Sequence, residues 1–116
     1  MDARCTIKKN SDFRRLYSKG KSAVTPYLVL YCRRNRLGTN RVGFTVSAKL
    51  GHAVVRNRVR RRYREIYRLN QPDLAPGWDL ILVARGRSVD AEYAAMNAAF
   101  RKACAKLGLL KEENAS

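Results

Sequence analysis

The sequence predicts a two-layer α+β domain with the order helix, strands, helix, strand, helix. Two β-rich runs, 27–32 and 41–48, precede an arginine-rich stretch, 51–69, that has the apolar period of a helix. A third apolar run, 78–84, leads to an alanine-rich segment. A chain of 116 residues can bury a modest core without disulfides or metals, so we expect one domain spanning 1–116.

The first helix is predicted between Ser11 and Gly20. Ser11 is a good N-cap, Asp12 suits the positive end of the helix dipole, and Gly20 is a typical C-terminal stop. Three larger side chains share one face of this helix: Phe13, Leu16 and Tyr17. Core packing explains them, but the two aromatic rings would serve equally well as a stacking platform for bases.

The two β-rich runs predict an antiparallel pair joined by a loop at 33–40, with a short strand at 22–24 before them. Alternation divides the first run into two faces. One face is aliphatic, with Leu28, Leu30 and Cys32, and the other carries Tyr27, Val29 and Tyr31. The second run likewise alternates apolar residues with Thr45 and Ser47. A sheet face of tyrosines and hydroxyls is suited to a groove that meets bases and ribose.

The arginine-rich stretch predicts an amphipathic helix that presents charge to a polyanion. At about 100° per residue, the apolar side chains share one side of the helix; they are Val55, Val59, Tyr63, Ile66 and Leu69. The opposite side carries Asn57, Arg60, Arg61, Arg64 and Arg68. Seven arginines and one acid, Glu65, lie between 56 and 68, so a merely solvated face with interleaved acids is disfavoured. Arg62 points towards the apolar stripe, either lying along the core edge or aimed into a groove.

The last third of the chain is predicted to contain a strand and a helix that support the core. Prolines and glycine at 71–77 mark a break, Trp78–Ala84 is a buried strand, and a helix beginning near Asp90 covers the core. Gly108 ends that helix, and the remaining residues, 109–116, are expected to be a frayed tail.

Charge and cysteine content limit the class of protein. The net charge of +16 exceeds what solubility requires and indicates an acidic partner. The three cysteines form no CxxC pair and predict reduced thiols in a cytoplasmic protein, with neither a disulfide framework nor a zinc site. No signal-peptide core or stretch of transmembrane length is present, so no membrane association is expected.

The chain alone has no pattern typical of a catalyst. His52 is the single histidine, and no pair of carboxylates is spaced to hold Mg²⁺. Walker and dinucleotide glycine motifs are also absent from the sequence. We therefore predict no catalytic residue and no metal ligand, and a binding role instead.

The segment from Arg41 to Glu65 closely resembles the protein subunit of bacterial ribonuclease P. The resemblance rests on Gly51, then Ala53 and Val54, then the triplet Arg56-Asn57-Arg58, followed by Arg60, Arg61 and Arg64. It extends over most of the chain, including the first helix, the tyrosine strand and the Trp78–Ala84 strand. Two positions depart from the family pattern: Arg62 stands where an apolar residue is usual, and Ala48 leaves one basic group fewer before the helix.

The resemblance implies a fold and a function. The fold is an α/β sandwich with a left-handed crossover, similar to a ribosomal-protein domain. The function is that of the non-catalytic subunit of an endoribonuclease, in which a large RNA hydrolyses precursor tRNA to release the 5′ leader. Mg²⁺ would be bound mainly by the RNA subunit and the substrate. The partners implied are that RNA and precursor tRNA, in the cytoplasm, with no obligate protein partner.

The resemblance also assigns residues to two surfaces. The leader-binding cleft would consist of Phe13, Tyr17, Val29, Tyr31 and Arg60. The RNA-binding helix would use Arg56, Asn57, Arg58, Arg60, Arg61 and Arg64, and the outward side of the helix adds Arg68. Both assignments agree with an aromatic face beside a guanidinium face.

One alternative to the ribonuclease P role stays open at this stage, and a more distant one is disfavoured. A ribosomal-protein-like or general RNA-binding protein without a catalytic partner would have the same charge and the same arginine helix. A DNA-binding helix is disfavoured, because an aromatic strand face suits unpaired bases better than a duplex groove.

Overall fold

The structure is a computed structural model that describes residues 5–111. It contains a four-stranded sheet in the order β1-β2-β4-β3 and three α-helices. The strands are β1 (Lys21–Val24), β2 (Leu28–Arg34), β3 (Arg41–Thr45) and β4 (Trp78–Ala84). The helices are α1 (Asn10–Lys19), α2 (Ala53–Asn70) and α3 (Tyr93–Lys106). The predicted α+β class and the order of elements are confirmed.

Strand pairing differs from the prediction at one place. The short first strand pairs antiparallel with β2 as expected, but β2 and β3 are not neighbours. Strand β4 lies between them, antiparallel to β2 and parallel to β3. The most apolar run of the chain thereby gains a neighbour on each side, which buries it better than an edge position would. Helix α2 joins the parallel strands β3 and β4 as a crossover, whose left hand stays a prediction of the resemblance.

The main core lies between one sheet face and helices α2 and α3. Leu28, Leu30 and Cys32 point into it from β2, as alternation predicted. Tyr27 precedes the strand and packs against this main core, so its predicted place on the tyrosine face is wrong. A smaller cluster on the opposite face, under α1, contains Ile7, Leu16 and Ile81. Helix α1 thus adds a partial layer to the α/β sandwich.

The ends of α1 show one error and one success. The helix begins at Asn10, and its N-cap is Lys9, which makes no side-chain capping bond. The prediction that Ser11 is the N-cap is therefore wrong. Gly20 ends the helix, and its N–H donates to the Leu16 carbonyl at 2.9 Å. A Cβ at Gly20 would lie 2.5 Å from that oxygen and 2.8 Å from the carbonyl oxygen of Cys32. Close approach to the backbone, rather than a left-handed conformation, therefore requires glycine here.

The buried stripe of α2 is rotated from the predicted one at its C-terminal end. Val59, Tyr63 and Ile66 are buried as expected, but Leu69 is 55% exposed and Asn70 is buried instead. At about 100° per residue, position 70 lies about 20° from position 59, whereas position 69 lies about 80° away. Asn70 is satisfied by hydrogen bonds to the Ile66 carbonyl and to the side chains of Asn97 and Arg101.

The last described residues are held to the domain rather than frayed. Leu109 is 1% exposed, Leu110 forms a β-bridge with Leu74, and the Lys111 N–H donates to the Asp73 carbonyl at 3.0 Å. The prediction of a frayed tail is therefore wrong for 109–111, and 112–116 lie outside the described residues. Over the described range, 5–111, every helix is too short or too polar to cross a membrane.

Candidate nucleic-acid interface

An open groove of about 530 Å³ runs between α1, the end of β3 and α2. We call it the aromatic groove, and its lining residues are Asn10, Phe13, Arg14, Tyr17, Phe44, Thr45, Val46 and Arg60. Three of the five residues predicted for a leader-binding cleft lie in it together: Phe13, Tyr17 and Arg60. Residues from separate elements thus meet where α1, on one sheet face, and α2, on the other, come together at the end of the edge strand β3.

The aromatic rings of the groove are held in fixed orientations. The Tyr17 hydroxyl shares a hydrogen bond of 2.8 Å with the Thr45 hydroxyl. The Tyr17 ring meets the Tyr31 ring edge-on, with centroids 4.9 Å apart, and its centroid lies 6.3 Å from that of Phe13. Tyr17 is nevertheless 40% exposed, so part of the ring is free to contact a ligand. A fixed, partly exposed ring is what base stacking needs.

Phe13 lies deeper than Tyr17 because Gly43 makes room for it. A Cβ on Gly43 would come within 2.7 Å of the Phe13 Cζ atom. Phe13 therefore packs across the backbone of β3 and borders the small cluster under α1. Its ring contributes to the floor of the groove and to the core at once.

Val29 and Tyr31 lie on the same sheet face but beside the groove, not in its lining. Strand register places Val24, Val29, Val83 and Thr45 in one row across all four strands. Thr45 lines the groove and also ends this row, so the groove continues onto an open strip of sheet. Tyr31 lies under α1 and supports Tyr17 from below. The five predicted residues therefore form one continuous surface, with the groove at one end.

The wall formed by α2 carries the arginines that point outward. Arg60 is half-buried and donates to the Asn57 side chain at 2.9 Å, which fixes it at the groove. The Arg64 guanidinium lies over the Phe44 ring, 5.9 Å from the centroid. Arg61 is exposed and makes no hydrogen bond or ion pair with any residue between 5 and 111. These three guanidinium groups are available to phosphate oxygens.

The other arginines of α2 also bind parts of the protein itself. Arg56 donates to the Gly51 carbonyl at 3.2 Å, and Arg58 donates to the Val89 carbonyl at 3.1 Å. Arg62 donates to the Ala91 carbonyl at 2.8 Å, so it lies along the core edge and is not aimed into the groove. Arg68 pairs with Glu65 at 2.6 Å. Because a guanidinium has five N–H donors, each of these residues keeps donors for a ligand.

Ionisation on α2 favours a cationic outer face. The Arg68 guanidinium beside Glu65 lowers the pKa of that carboxyl, so the single acid of the helix stays charged. It forms its ion pair with Arg68. Seven arginines against one glutamate leave a formal charge of +6 on the helix. On the inner face, burial raises the pKa of Tyr63 to about 12, and its neutral hydroxyl donates to the Tyr27 carbonyl at 2.8 Å.

Sequence reasoning missed part of the groove. Alternation places Thr45 on the hydroxyl face of its strand, but nothing in the sequence marks it as a site residue. The groove lining also includes residues absent from the predicted cleft: Asn10, Arg14, Phe44 and Val46. The signal for Arg14 was its place beside Phe13 on a basic helix. Phe44 has no local signal, because its alternation with Val42 indicates core packing, whereas the structure places its ring in the groove lining and under the Arg64 guanidinium.

Partly exposed aromatic rings on a sheet face lie beside a helix with a formal charge of +6, an arrangement typical of RNA-binding domains. Comparison with known proteins specifies this class. The Ribonuclease P family model matches residues 1–108, and the chain belongs to that family.

Individual relatives agree. The ribonuclease P protein component of Natranaerobius thermophilus is 46% identical over 107 residues, covering 92% of this chain and 93% of that protein. The corresponding component of Clostridioides difficile is 48% identical over 88 residues, covering 75% and 77%. The solved Staphylococcus aureus RNase P protein matches with a TM-score of 0.84 at 30% identity, covering 92% and 98%. The Thermotoga maritima RNase P protein matches with a TM-score of 0.77 at 26% identity, covering 84% and 92%.

Membership makes the chain the protein component of an endoribonuclease holoenzyme with an RNA partner. No group of three or more His, Cys, Asp or Glu side chains within 5–111 is placed to hold a metal ion. Asp79 and Asp12, two of the partly or fully buried acids, are instead bound to Arg41.

Proposed function

We propose that this protein binds the single-stranded 5′ leader of precursor tRNA in the aromatic groove and the RNA subunit of ribonuclease P through α2. The holoenzyme then removes the leader by phosphodiester hydrolysis and releases the mature 5′ end of the tRNA. The observation that carries the proposal is Tyr17, a 40% exposed ring fixed by Thr45 and Tyr31 next to Arg60.

The groove suits a single strand of variable sequence. A base has two π-faces whatever its identity, so a fixed aromatic ring binds any base by stacking. Arg60 and Arg14 line the same groove and can neutralise the phosphates on either side of a stacked base. Base-specific hydrogen bonding is not required by such an arrangement. A subunit that serves many precursor tRNAs needs this tolerance.

Hydrolysis belongs, in this proposal, to the RNA subunit. Among the described residues, no His, Asp or Glu lines the groove, and His52 is exposed at the start of α2 with no side-chain capping bond. Mg²⁺ would be held by phosphate oxygens of the RNA subunit and the substrate. The protein's contribution is to hold the leader and to lower repulsion between the two RNAs with its charge. This work takes place in the cytoplasm, where tRNA matures.

The test is reconstitution with a bacterial ribonuclease P RNA transcript. The RNA alone, the protein alone and the two together are given precursor tRNA at low Mg²⁺, and release of the leader is measured. We expect the complex to cleave faster than the RNA alone, with the largest gain at low salt and low Mg²⁺. Rigorously RNA-free protein that cleaves, or an RNA whose rate is unchanged by the protein, would contradict the proposal. The second result would favour a general RNA-binding role.

A further inference from the structure

Helix α1 separates the aromatic groove from a second groove on its other side. This second groove, of about 730 Å³, lies at the end of the sheet where β2 stops and β3 begins. We call it the arginine groove, and its lining residues are Asp12, Arg15, Leu16, Arg33, Arg34, Asn35, Arg36, Leu37, Arg41 and Asp79. None of its residues lines the aromatic groove. Five of its ten lining residues, at positions 33–37, come from the stretch that the sequence predicts as a connecting loop.

The charge of the arginine groove is positive and only partly compensated. Five arginines face two aspartates, a formal balance of +3. Arg41 bonds both Asp79 carboxylate oxygens, at 2.8 and 2.6 Å, and lies 3.7 Å from Asp12. Both acids are thereby engaged by one arginine. Arg33 and Arg36 form no ion pair with any residue in the described range.

The loop that carries Arg36 is built in one fixed shape. Asn35 donates to the Thr39 carbonyl at 3.0 Å and to Asp79 at 2.9 Å, while its side-chain oxygen accepts from the Leu37 N–H at 2.8 Å. Arg36 has a φ of 62°, and within 5–111 it is the single non-glycine residue with positive φ. A side chain in that conformation is strained, and such strain persists at sites where a particular side chain must be presented.

Recognition in this groove would differ from recognition in the aromatic groove. Arg34 lies over the Trp78 ring at 5.0 Å, so that ring face is already covered by a guanidinium. The groove therefore offers cationic donors without an open stacking platform. Such a surface contacts the phosphate backbone of a folded RNA, largely without regard to sequence. Leu37 is exposed here, but a single apolar side chain among arginines does not favour a protein partner.

We propose that the arginine groove is a second RNA-contacting surface, which binds backbone phosphates of the RNA subunit through Arg33 and Arg36. Position 29, beside the aromatic groove, and position 34 are five residues apart on β2, a separation of about 16 Å. One protein can therefore hold the leader on one side of α1 and the RNA subunit on the other. The inference rests on the proposed function in that the ligand is the RNA partner.

The experiment removes charge without disturbing the loop. In the double variant Arg33→Gln, Arg36→Gly, glycine is compatible with the positive φ at position 36, so the loop keeps its shape. The control variant, Lys102→Gln, Lys106→Gln, removes two exposed charges from α3. Affinity for a ribonuclease P RNA transcript is measured without substrate between 0.05 and about 0.3 M salt. Losing two phosphate contacts should make the slope of log affinity against log salt concentration less steep by about 1.4–1.8. At fixed salt, it should weaken binding about tenfold or more.

The outcomes separate this inference from the proposed function. A reduced slope for the groove variant, an unchanged slope for the control and unchanged melting temperatures would support the second surface. Equal losses for both variants would assign the effect to bulk charge and overturn it. The measurement is repeated with precursor tRNA added, and a loss that occurs only then would place the contact on the substrate and also overturn the inference. Leader-dependent cleavage tests the proposed function by itself, so either idea can fail while the other stands.

Discussion

Tyr17 is the sharpest test of the aromatic groove, because its two roles can be separated by substitution. Tyr17→Phe removes the 2.8 Å hydrogen bond to Thr45 and keeps the ring. Tyr17→Leu removes the π-face and keeps an apolar side chain over Tyr31. Tyr31 is a poorer target, because it is half-buried in the cluster under α1 and its loss would lower stability as well.

The expected effects differ between binding and folding. Loss of a stacking ring should weaken leader binding by about 1–3 kcal/mol, which is roughly 5- to 150-fold in affinity. The hydroxyl of an exposed tyrosine contributes at most about 0.5–1.5 kcal/mol to stability, so Tyr17→Phe should fold normally and bind nearly as well. Because Tyr17 is 40% exposed, Tyr17→Leu should cost about 1 kcal/mol of folding free energy or less.

The assay compares the reconstituted holoenzyme on precursor tRNA and on mature tRNA without a leader. Tyr93→Leu is a matched control, since Tyr93 is similarly exposed at 36% but lies on α3, across the sheet. We expect Tyr17→Leu to lose affinity only for the leader-bearing RNA, and Tyr93→Leu to behave as wild type. Equal losses on both RNAs, or equal losses for both variants, would refute the stacking role and return Tyr17 to a packing role.

Three further predictions concern charge and stability. Arg64→Gln should flatten the salt dependence of RNA binding by about 0.7–0.9, whereas Lys106→Gln should not; equal slopes would show that the outer face of α2 makes no phosphate contact. Asp79→Asn should lower the free energy of unfolding by about 2–4 kcal/mol in chemical denaturation, because it leaves Arg41 without its partly buried partner; an unchanged midpoint would contradict this. Burial raises the pKa of Tyr67 to about 12, above the ordinary value of 10.0. The stability that the neutral Tyr67 side chain contributes to the folded state is therefore fully present below pH 10 and is lost as pH rises to about 12. Tyr67→Phe should therefore make alkaline unfolding less steep, and an identical pH profile would show that this tyrosine does not titrate on unfolding.

The sequence was most informative about which side chains of a single helix or strand are buried, because periodicity within that element predicts its buried face. The period of α2 predicted the burial of Val59, Tyr63 and Ile66, and the alternation of β2 predicted its core face. Pairing of β2 with β4 could not be read in the same way, because no local pattern states which strand lies next to which. Asn70 is buried only because Asn97 and Arg101 reach it from another helix. Its partners lie about thirty positions away, so local periodicity favoured Leu69.

In the candidate site, too, features within one element were predictable, whereas contacts between elements were not. Phe13 and Tyr17 were predicted together because helical spacing places them on one face, and Arg60 because it lies on the charged face of α2. Their meeting in one groove followed only from the resemblance, since it depends on how α1 and α2 dock on the sheet. Thr45 fixes the Tyr17 ring, yet a threonine in a strand gives no sign of that partner.

The arginines of α2 show how one helix can serve both the fold and the ligand. Arg56, Arg58 and Arg62 each donate from one nitrogen to a backbone carbonyl of the protein, those of Gly51, Val89 and Ala91. Lysine could make the same single bond, but it would keep only two donors from one point charge. Arginine keeps the rest of a planar fork, so the same residue can tie down a loop and still bind phosphate. If α2 binds the RNA subunit as proposed, positions 56 and 58 serve both roles, and Arg-to-Lys changes there should reduce both RNA affinity and the hydrogen-exchange protection of the loops that they hold.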